Sequence, residues 1–305
     1  MGKRLSVALI VVAFSSFSAR AADLQQGLDA AHAGDYAAAL SAWQPLANKG
    51  NALAQFNLGV MYEIGKGVTK DAEEAVRWYR LAADQGNALA QFNLGTMYAN
   101  GTGVLRDSAE AARWYRLATE QGNALAQFDL GIIYANGVGQ PKDRAEAAQW
   151  SHLAAVQGNA LAQFDLGIMY ENGLGVVKDS AEAVRWYRTA AEQGHPRSQA
   201  KLGLLYANGE GVLKDKAEAV RWYRSAAIQG DSGAQNNLGW MYAYGEEVEK
   251  DVELAHMWFN IAGANGHDDA LKSRDNVETR MTSEQISKAT DQARMCMSSG
   301  YKNCD

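Results

Sequence analysis

The sequence predicts an all-α solenoid, a stack of helix-turn-helix repeats, and three observations lead to this fold class. The first is a period of 36 residues, the spacing from Gly50 to Gly86, which runs through six units without insertion or deletion. The second is that tryptophan and tyrosine return at fixed places: Trp78, Trp114, Trp150, Trp186, Trp222 and Trp258; Tyr62, Tyr98, Tyr134, Tyr170, Tyr206 and Tyr242. The third is that every unit holds two helix-like segments. Such a period is typical of stacked repeat proteins.

Each unit opens with a segment that we call helix A. The residues that precede it are mostly good N-caps: Asn51, Asn87, Asn123, Asn159, His195 and Asp231. Two glycines, Gly65 and Gly67 in the first unit, then predict a turn with positive φ, although the sixth unit has Glu247 at the second position. Helix B follows with the capping-box pattern Asp71-x-x-Glu74 and ends at the last glycine of the unit.

The segments on either side of the repeats are expected to cap the stack. Residues 22–50 predict a pair of N-terminal capping helices, since they keep the alanine and leucine spacing but lack the glycine turn. Residues 51–266 are the six repeats. Residues 267–305 depart from the pattern and predict C-terminal capping helices, the last of which opens with Thr282 and Gln285 in a capping box.

The first 21 residues resemble a secretory signal peptide. Lys3 and Arg4 precede an apolar run that is too short to span a bilayer, and Ala19-Arg20-Ala21 is a small-residue cleavage site. We therefore predict an exported protein, periplasmic or secreted after cleavage near Ala21; a buried N-terminal helix is the alternative. The formal net charge is −6, and cleavage would make the chain more acidic, because Lys3, Arg4 and Arg20 are the charged residues it removes. Nucleic acid and anionic membranes are therefore not expected as partners.

The two cysteines, Cys296 and Cys304, lie close together beyond the repeats. An even pair in an exported protein predicts a disulfide bond that joins the tail to the last helix and constrains nothing in the repeats. Two free thiols are the alternative.

Positions that do not vary between the repeats predict the core. Leu58, Gly59 and Tyr62 of helix A, with Ala75 and Trp78 of helix B, have the spacing of one buried stripe on each helix. We interpret the tryptophan series as core rather than as a ligand cage.

The first unit from Leu58 to Gly86 has the pattern L-G-x-x-Y-x-x-G-x-G-V-x-x-D-x-x-x-A-x-x-W-Y-x-x-A-A-x-Q-G. This pattern closely resembles the Sel-one-like repeat family, a relative of the tetratricopeptide repeats, and the match covers residues 51–266. The resemblance implies a right-handed α/α superhelix that acts as a scaffold or adaptor of the bacterial envelope or secretome, without a catalytic residue. Some exported relatives carry a cysteine pair in every repeat and are described as penicillin-binding or β-lactamase-like, but these repeats contain no cysteine.

The side of helix A opposite the buried stripe is the candidate binding surface. In related tetratricopeptide arrays it lines the concave surface, where aromatic anchors and amides would hold an extended peptide. The candidate residues are the row Phe56, Phe92, Phe128 and Phe164; the polar edge Asn57, Asn93, Asp129, Asp165, Lys201 and Asn237; the amides Asn100, Asn136, Asn172 and Asn208; and Trp240 as the main hot spot. The alternative places the phenylalanines in the core, against the neighbouring helix A. We expect a protein or peptide partner for a monomeric chain.

Signals for catalysis are weak. Ser198-x-x-Lys201 matches the S-x-x-K motif of serine β-lactamases, but the companion motifs are absent and Ser198 falls on the buried stripe. The five histidines are scattered without the spacing of metal ligands, so neither a metal nor a cofactor is expected. We predict a non-enzymatic protein, with a cell-envelope hydrolase as the alternative.

Overall fold

A computed structural model describes residues 19–302 and residue 304, with side chains from Asp23 onward. The first 18 residues, which hold most of the predicted leader, lie outside the described residues. All regular secondary structure in the described part of the chain is α-helical, which confirms the predicted fold class. The chain divides into two compact units, Met1–Gln121 and Gly122–Asp305.

The N-terminal unit is built from three helical hairpins. Its helices are α1 Ala19–His32, α2 Tyr36–Asn48, α3 Ala52–Ile64, α4 Ala72–Asp84, α5 Ala88–Asn100 and α6 Ser108–Glu120. The first pair precedes the repeats, and the other two pairs are helices A and B of repeats one and two. Each helix packs against the next one along the chain, so neighbouring hairpins share a core.

The C-terminal unit contains repeats three to six and two further helices. Its helices are α7 Ala124–Asn136, α8 Arg144–Val156, α9 Ala160–Asn172, α10 Ser180–Glu192, α11 Pro196–Asn208, α12 Lys216–Ala227, α13 Ser232–Tyr244, α14 Val252–Ala264, α15 Asp268–Glu278 and α16 Ser283–Ser298. Within this unit α14 packs against both α15 and α16, which cover the end of the sixth repeat.

Local hydrogen bonds explain where the repeat helices begin and end. At the start of α3 the Asn51 Oδ1 accepts a hydrogen bond from the Ala54 N–H at 2.9 Å, as an N-cap should. The helix ends at Gly65, whose φ of 71° lies in the left-handed region. After α4, the Asn87 N–H donates to the Ala82 carbonyl at 3.1 Å in a Schellman-type ending. The helix starts and ends predicted for the repeats are therefore confirmed.

The capping box predicted for helix B forms only in half. The Asp71 Oδ1 accepts from the Glu74 N–H at 3.0 Å, as predicted. The Asp71 N–H donates instead to the Tyr62 carbonyl at 2.9 Å, so it is not available to the Glu74 side chain. Glu74 pairs with Arg77 one turn later, at 2.5 Å. Because the preceding helix A already satisfies the N–H group, the glutamate is free to form an ion pair on the surface.

The predicted tryptophan core is present, with differences between repeats. Trp258 is fully buried, whereas Trp150 and Trp222 are half-buried. The glycine on helix A gives room to an aromatic ring of helix B: a Cβ on Gly59 would lie 2.5 Å from the Tyr79 ring. A small residue on one helix and a large ring on the other therefore fit together in each such hairpin.

Repeat three lacks this ring. Ser151 occupies the position that Tyr187 holds in repeat four. A Cβ on Gly131 would lie 3.0 Å from the Ser151 Oγ, whereas a Cβ on Gly167 would lie 2.5 Å from the Tyr187 ring. The same glycine position is thus tightly packed in one repeat and looser in the other.

This difference predicts unequal effects of the same substitution. Gly167→Ala should lower the free energy of unfolding of the C-terminal unit by about 1–3 kcal/mol, because a buried ring must move. Gly131→Ala should be about neutral, since a serine hydroxyl can rotate away and alanine favours the helix by up to about 1 kcal/mol. Urea unfolding followed by circular dichroism measures both variants. Equal losses at the two sites would contradict the packing described here.

Buried glutamines connect successive helices. In repeat four the Gln163 Nε2 donates to the Ala155 carbonyl at the end of α8, at 3.0 Å, and the Gln163 Oε1 accepts from the Gln193 Nε2 at 2.7 Å. The same two bonds join Gln55 with Ala47 and Gln85, Gln91 with Ala83 and Gln121, Gln199 with Ala191 and Gln229, and Gln235 with Ala227 and Asn265. We call this series the glutamine ladder. Each of these carbonyls also accepts a hydrogen bond from the N–H of the glycine three residues later, so the glutamine adds a second bond at the end of the helix.

The turn of repeat six forms without its second glycine. Glu247 has a φ of 57°, close to the 76° of Gly175 in repeat four. The left-handed backbone is therefore kept even where the residue has a side chain, and Glu247 is exposed.

The C-terminal helix carries the predicted disulfide bond. α16 begins with a complete capping box between Thr282 and Gln285. Cys296, near the end of this helix, is bonded to Cys304, with 4.8 Å between the two Cα atoms. Both cysteines are buried, in the core that extends from repeats four to six.

The loop closed by the disulfide contacts the sixth repeat. The Asn265 Nδ2, at the end of α14, donates to the Tyr301 hydroxyl at 2.9 Å. A Cβ on Gly230 would lie 3.4 Å from the same tyrosine ring. The expectation that the loop constrains nothing in the repeats is therefore wrong, because Tyr301 holds it against α14 and the turn before α13.

Candidate partner-binding face

Helix A has a second surface besides its buried stripe. Positions equivalent to Phe56, Asn57, Val60 and Ile64 lie on it, because residues three, four and seven apart share one side of a helix. We call this surface the A-face. Repeats one and two provide it in the N-terminal unit, and repeats three to six provide it in the C-terminal unit.

The four phenylalanines of the A-face are largely covered. Phe56, Phe128 and Phe164 are buried, and Phe92 is half-buried. Three of them contact the helix B tyrosine of their own repeat, with 5.9 Å between ring centroids for Phe56 and Tyr79, 5.7 Å for Phe92 and Tyr115, and 5.7 Å for Phe164 and Tyr187. Binding of a partner by these rings remains a prediction, and their burial favours the alternative that they belong to the core.

The polar edge of the A-face hydrogen-bonds to buried tyrosines. The Tyr187 hydroxyl donates to the Glu171 Oε2 at 2.6 Å, and the Lys201 Nζ donates to the Glu171 Oε1 at 2.9 Å. Burial, together with the Glu171 carboxylate, holds the pKa of Tyr187 far above its usual value. Burial raises the pKa of Tyr223 to about 12, against the opposing effect of a hydrogen bond with Asn237. Lys201 and Asn237 are therefore part of internal networks, and Glu171 joins the site although the sequence did not single it out.

The other polar-edge residues are covered to different degrees. Asn57 is buried, Asn93 is half-buried and hydrogen-bonds to Tyr79, and Asp129 and Asp165 are half-buried. Their contact with a partner remains a prediction.

The predicted amide row is exposed. Asn100, Asn136, Asn172 and Asn208 all lie on the surface. The Asn136 Nδ2 donates to the Ile132 carbonyl at 3.0 Å, and the Asn172 Nδ2 donates to the Ile168 carbonyl at 2.9 Å. These bonds use one N–H of each amide and orient it, which leaves its remaining polar atoms at the surface.

An apolar row with an aromatic end follows α7, α9, α11 and α13. Its members, one from each successive repeat of the C-terminal unit, are Ile132, Ile168, Leu204 and Trp240, all half-buried or exposed. Trp240 stacks on Tyr244 with 5.4 Å between centroids and 12° between ring planes, and its edge meets Phe259. Tyr244 is 63% exposed. Sequence reasoning missed Tyr244, although it replaces the asparagine that repeats two to five place there.

The Phe164 ring lies close to Arg197 and His195. The Arg197 guanidinium is 4.7 Å from the Phe164 ring centroid, and the His195 ring is 5.0 Å from it. Burial raises the pKa of Asp165, and the positive charge of Arg197 partly opposes this. Burial lowers the pKa of His195, and the same arginine adds to that effect. The A-face of repeats four and five therefore combines an apolar ring with a cation and a carboxylate.

Ser198 is not accessible. Its side chain is completely buried, and its Oγ lies 2.8 Å from the Nδ1 of His195, the N-cap of α11. The Lys201 ammonium is bound to Glu171 instead. A nucleophile must reach its substrate, so this arrangement gives no support to a hydrolase.

The described residues offer neither a metal-binding cluster nor a membrane-spanning helix. No group of three or more His, Cys, Asp or Glu side chains among them could hold a metal ion. None of their helices has both the length and the apolar character needed to cross a bilayer.

Comparison with known proteins agrees with the repeat structure. The Sel1 repeat family model matches residues 52–87, 88–123, 124–159, 160–195, 196–231 and 232–267. The crystal structure of a Sel1 repeat protein from Oxalobacter formigenes is 37% identical over 79% of this chain and 96% of that chain, with a TM-score of 0.69. The protective antigen c5321 of uropathogenic Escherichia coli, which displays an SLR fold, is 28% identical over 92% of this chain and 85% of that chain, with a TM-score of 0.54. No curated protein matches the sequence.

Proposed function

Because this chain belongs to the Sel1 repeat family, whose members generally act in protein–protein interaction, we propose that it is a non-enzymatic adaptor that binds a partner protein or peptide through the A-face of its C-terminal unit. The observation that carries this proposal is the stacked pair of Trp240 and Tyr244. An exposed aromatic platform of this kind costs solvation free energy in the free protein and provides the anchor residues that dominate many interfaces.

The surface beside this platform suits an extended segment. The row Ile132, Ile168, Leu204 and Trp240 offers apolar contact at regular intervals, and exposed asparagine amides lie one turn farther along three of the same helices. Amides can bond the backbone of a peptide while the apolar row takes its side chains. The partner we propose therefore contains an extended segment with apolar residues, and this segment does not need to be folded before it binds.

We place this adaptor outside the cytoplasm. The disulfide between Cys296 and Cys304 suits an oxidising compartment, and the first 21 residues have the pattern of a signal peptide. Periplasm and secretion are both consistent with these features.

A crosslinking pull-down from the exported fraction tests the proposal. Replacement of Trp240 and Tyr244 together by alanine should weaken capture of the partner by at least about 30-fold, because the loss of a single aromatic anchor worth about 2 kcal/mol already corresponds to that factor. Leu213→Ala is the matched control, since Leu213 is an exposed apolar residue in the turn between α11 and α12. The control should capture the partner as the wild type does. Equal capture by the double variant, measured again with the purified partner, would contradict binding at the A-face.

A further inference from the structure

A pocket lies on the helix B side of repeats three and four, away from the A-face. It has a volume of about 450 Å³ and is formed by α8, by α9 and by the turn that follows α9. Its walls include His152, Tyr170, Gln149, Leu153 and Val176. This volume lies in the range of roughly 300–1,000 Å³ that is usual for ligand pockets.

Other repeats show what occupies the corresponding space. In repeats one, four and five an arginine of helix B donates a hydrogen bond to the hydroxyl of the helix A tyrosine in the next repeat: Arg80 to Tyr98, Arg188 to Tyr206, and Arg224 to Tyr242 at 2.6 Å. The guanidinium also approaches the ring, at 5.7 Å from the centroid of Tyr98 and 5.6 Å from that of Tyr206. The tyrosine at this position thus binds a guanidinium group through both its hydroxyl and its ring.

In repeat three this arginine is missing. His152 stands in its place, and its ring meets the Trp186 ring edge to face at 5.6 Å between centroids. The Tyr170 hydroxyl consequently makes no hydrogen bond to any of the described residues, although the tyrosine keeps its position on α9. Both side chains line the pocket.

The same helix has lost a second arginine. In α4, α6, α10 and α12 a glutamate pairs with an arginine three residues later. In α8 that arginine is Gln149, and the Glu146 carboxylate accepts a hydrogen bond from the Trp150 Nε1 at 3.0 Å without an ion pair among the described residues. Repeat three therefore keeps two acceptor groups that bind arginine elsewhere in the chain and lacks both of the arginines.

We propose that this pocket binds an arginine side chain supplied by a partner protein. The guanidinium would donate to the Tyr170 hydroxyl and lie beside its ring, while the aliphatic part of the side chain packs against Leu153 and Val176. Glu146 lies one turn before Gln149 on α8; it does not line the pocket, but its carboxylate makes no ion pair among the described residues and would attract a cation to this side of the helix. The site is separate from the A-face and does not depend on it.

The test uses the whole protein and a small probe, N-acetyl-arginine methylamide, followed by NMR. The wild type should show saturable shifts confined to amides of α8, α9 and the turn after α9. N-acetyl-citrulline methylamide, which has the same shape but no charge, should bind about tenfold more weakly, which corresponds to about 1.4 kcal/mol. Equal shifts with both probes, or no shifts up to the solubility limit of the arginine probe, would overturn the proposal.

Two reciprocal variants make this test specific. His152→Arg should abolish binding, because the chain then fills its own pocket, and it should not lower stability, so the loss cannot be attributed to unfolding. Arg188→His should create a second set of shifts near Tyr206, because this substitution removes the arginine that binds the Tyr206 hydroxyl in the wild type. Unchanged binding by His152→Arg would place the probe elsewhere and reject the pocket. The double alanine variant at Trp240 and Tyr244 should bind the probe normally, which separates this site from the A-face.

Discussion

Replacement of Gly175 by alanine is expected to destabilise the C-terminal unit by about 2–4 kcal/mol. Gly175 has a φ of 76°, which alanine adopts only at a cost, and an added Cβ would lie 1.9 Å from the Arg144 carbonyl oxygen at the start of α8. The neighbour is backbone, so it cannot rotate away. Relief would require the turn to separate from the preceding helix B, and urea unfolding of the purified variant measures that cost.

In the sixth repeat the reverse substitution, from a residue with a side chain to glycine, can be made at the same turn position. Glu247 is already in the left-handed region at φ 57°, is exposed and makes no ion pair among the described residues. Glu247→Gly should therefore raise the free energy of unfolding by up to about 1 kcal/mol, because the backbone strain of a residue with a Cβ is removed. If Gly175→Ala were harmless, or if Glu247→Gly were as damaging, the close approach described for this turn would not control stability.

Reduction of the bond between Cys296 and Cys304 is expected to lower the stability of the C-terminal unit by about 2–3 kcal/mol. The loop has a sequence separation of 8, and loop-closure entropy for so short a loop gives about 2.5 kcal/mol. The consequence should extend beyond the tail, because the closed loop holds Tyr301 against α14. We expect a lower urea midpoint in reductant and faster amide exchange at the end of α14.

Two variants separate the contributions to this effect. Tyr301→Phe with the disulfide intact should cost only about 1 kcal/mol, the value of the hydrogen bond with Asn265. A protein with both cysteines replaced by alanine should behave as the reduced wild type and should not respond to reductant. If the urea midpoint of the wild type is the same with and without reductant, the disulfide bond contributes no stability.

Much of the fold could be predicted because the relevant signals are local. Asn51 and Gly65 mark the ends of a helix by backbone chemistry that acts within a few residues, and the spacing of Leu58 and Trp78 indicates which side of each helix is buried. The full capping box predicted at Asp71 forms only in half, because the Asp71 N–H donates to the Tyr62 carbonyl of the preceding helix instead of to the Glu74 side chain.

The candidate site was harder to predict, since it depends on contacts between residues that are far apart in sequence. An apolar residue such as Phe164 is compatible with either a core position or a binding surface. Only the position of Tyr187 shows that its ring is covered. Lys201 was predicted to contact a partner from the polar edge, and its ion pair with Glu171 of α9 could not be foreseen from the repeat pattern. Periodicity identifies equivalent positions but does not show which partner each one meets. Tyr244 could have been found, because it breaks an otherwise regular row of asparagines.

The glutamine ladder has a consequence for how such a chain can change its length. Within the repeats that carry it, each buried glutamine accepts from the last turn of its own hairpin and donates to the carbonyl at the end of the hairpin before it. A duplicated or deleted segment of one full period therefore brings or removes its donor and acceptor together, and no polar group is stranded in the interior. Insertions of any other length would break a bond on each side of the junction. This coupling favours growth and loss by whole repeats during evolution, which agrees with six units of identical length in one chain.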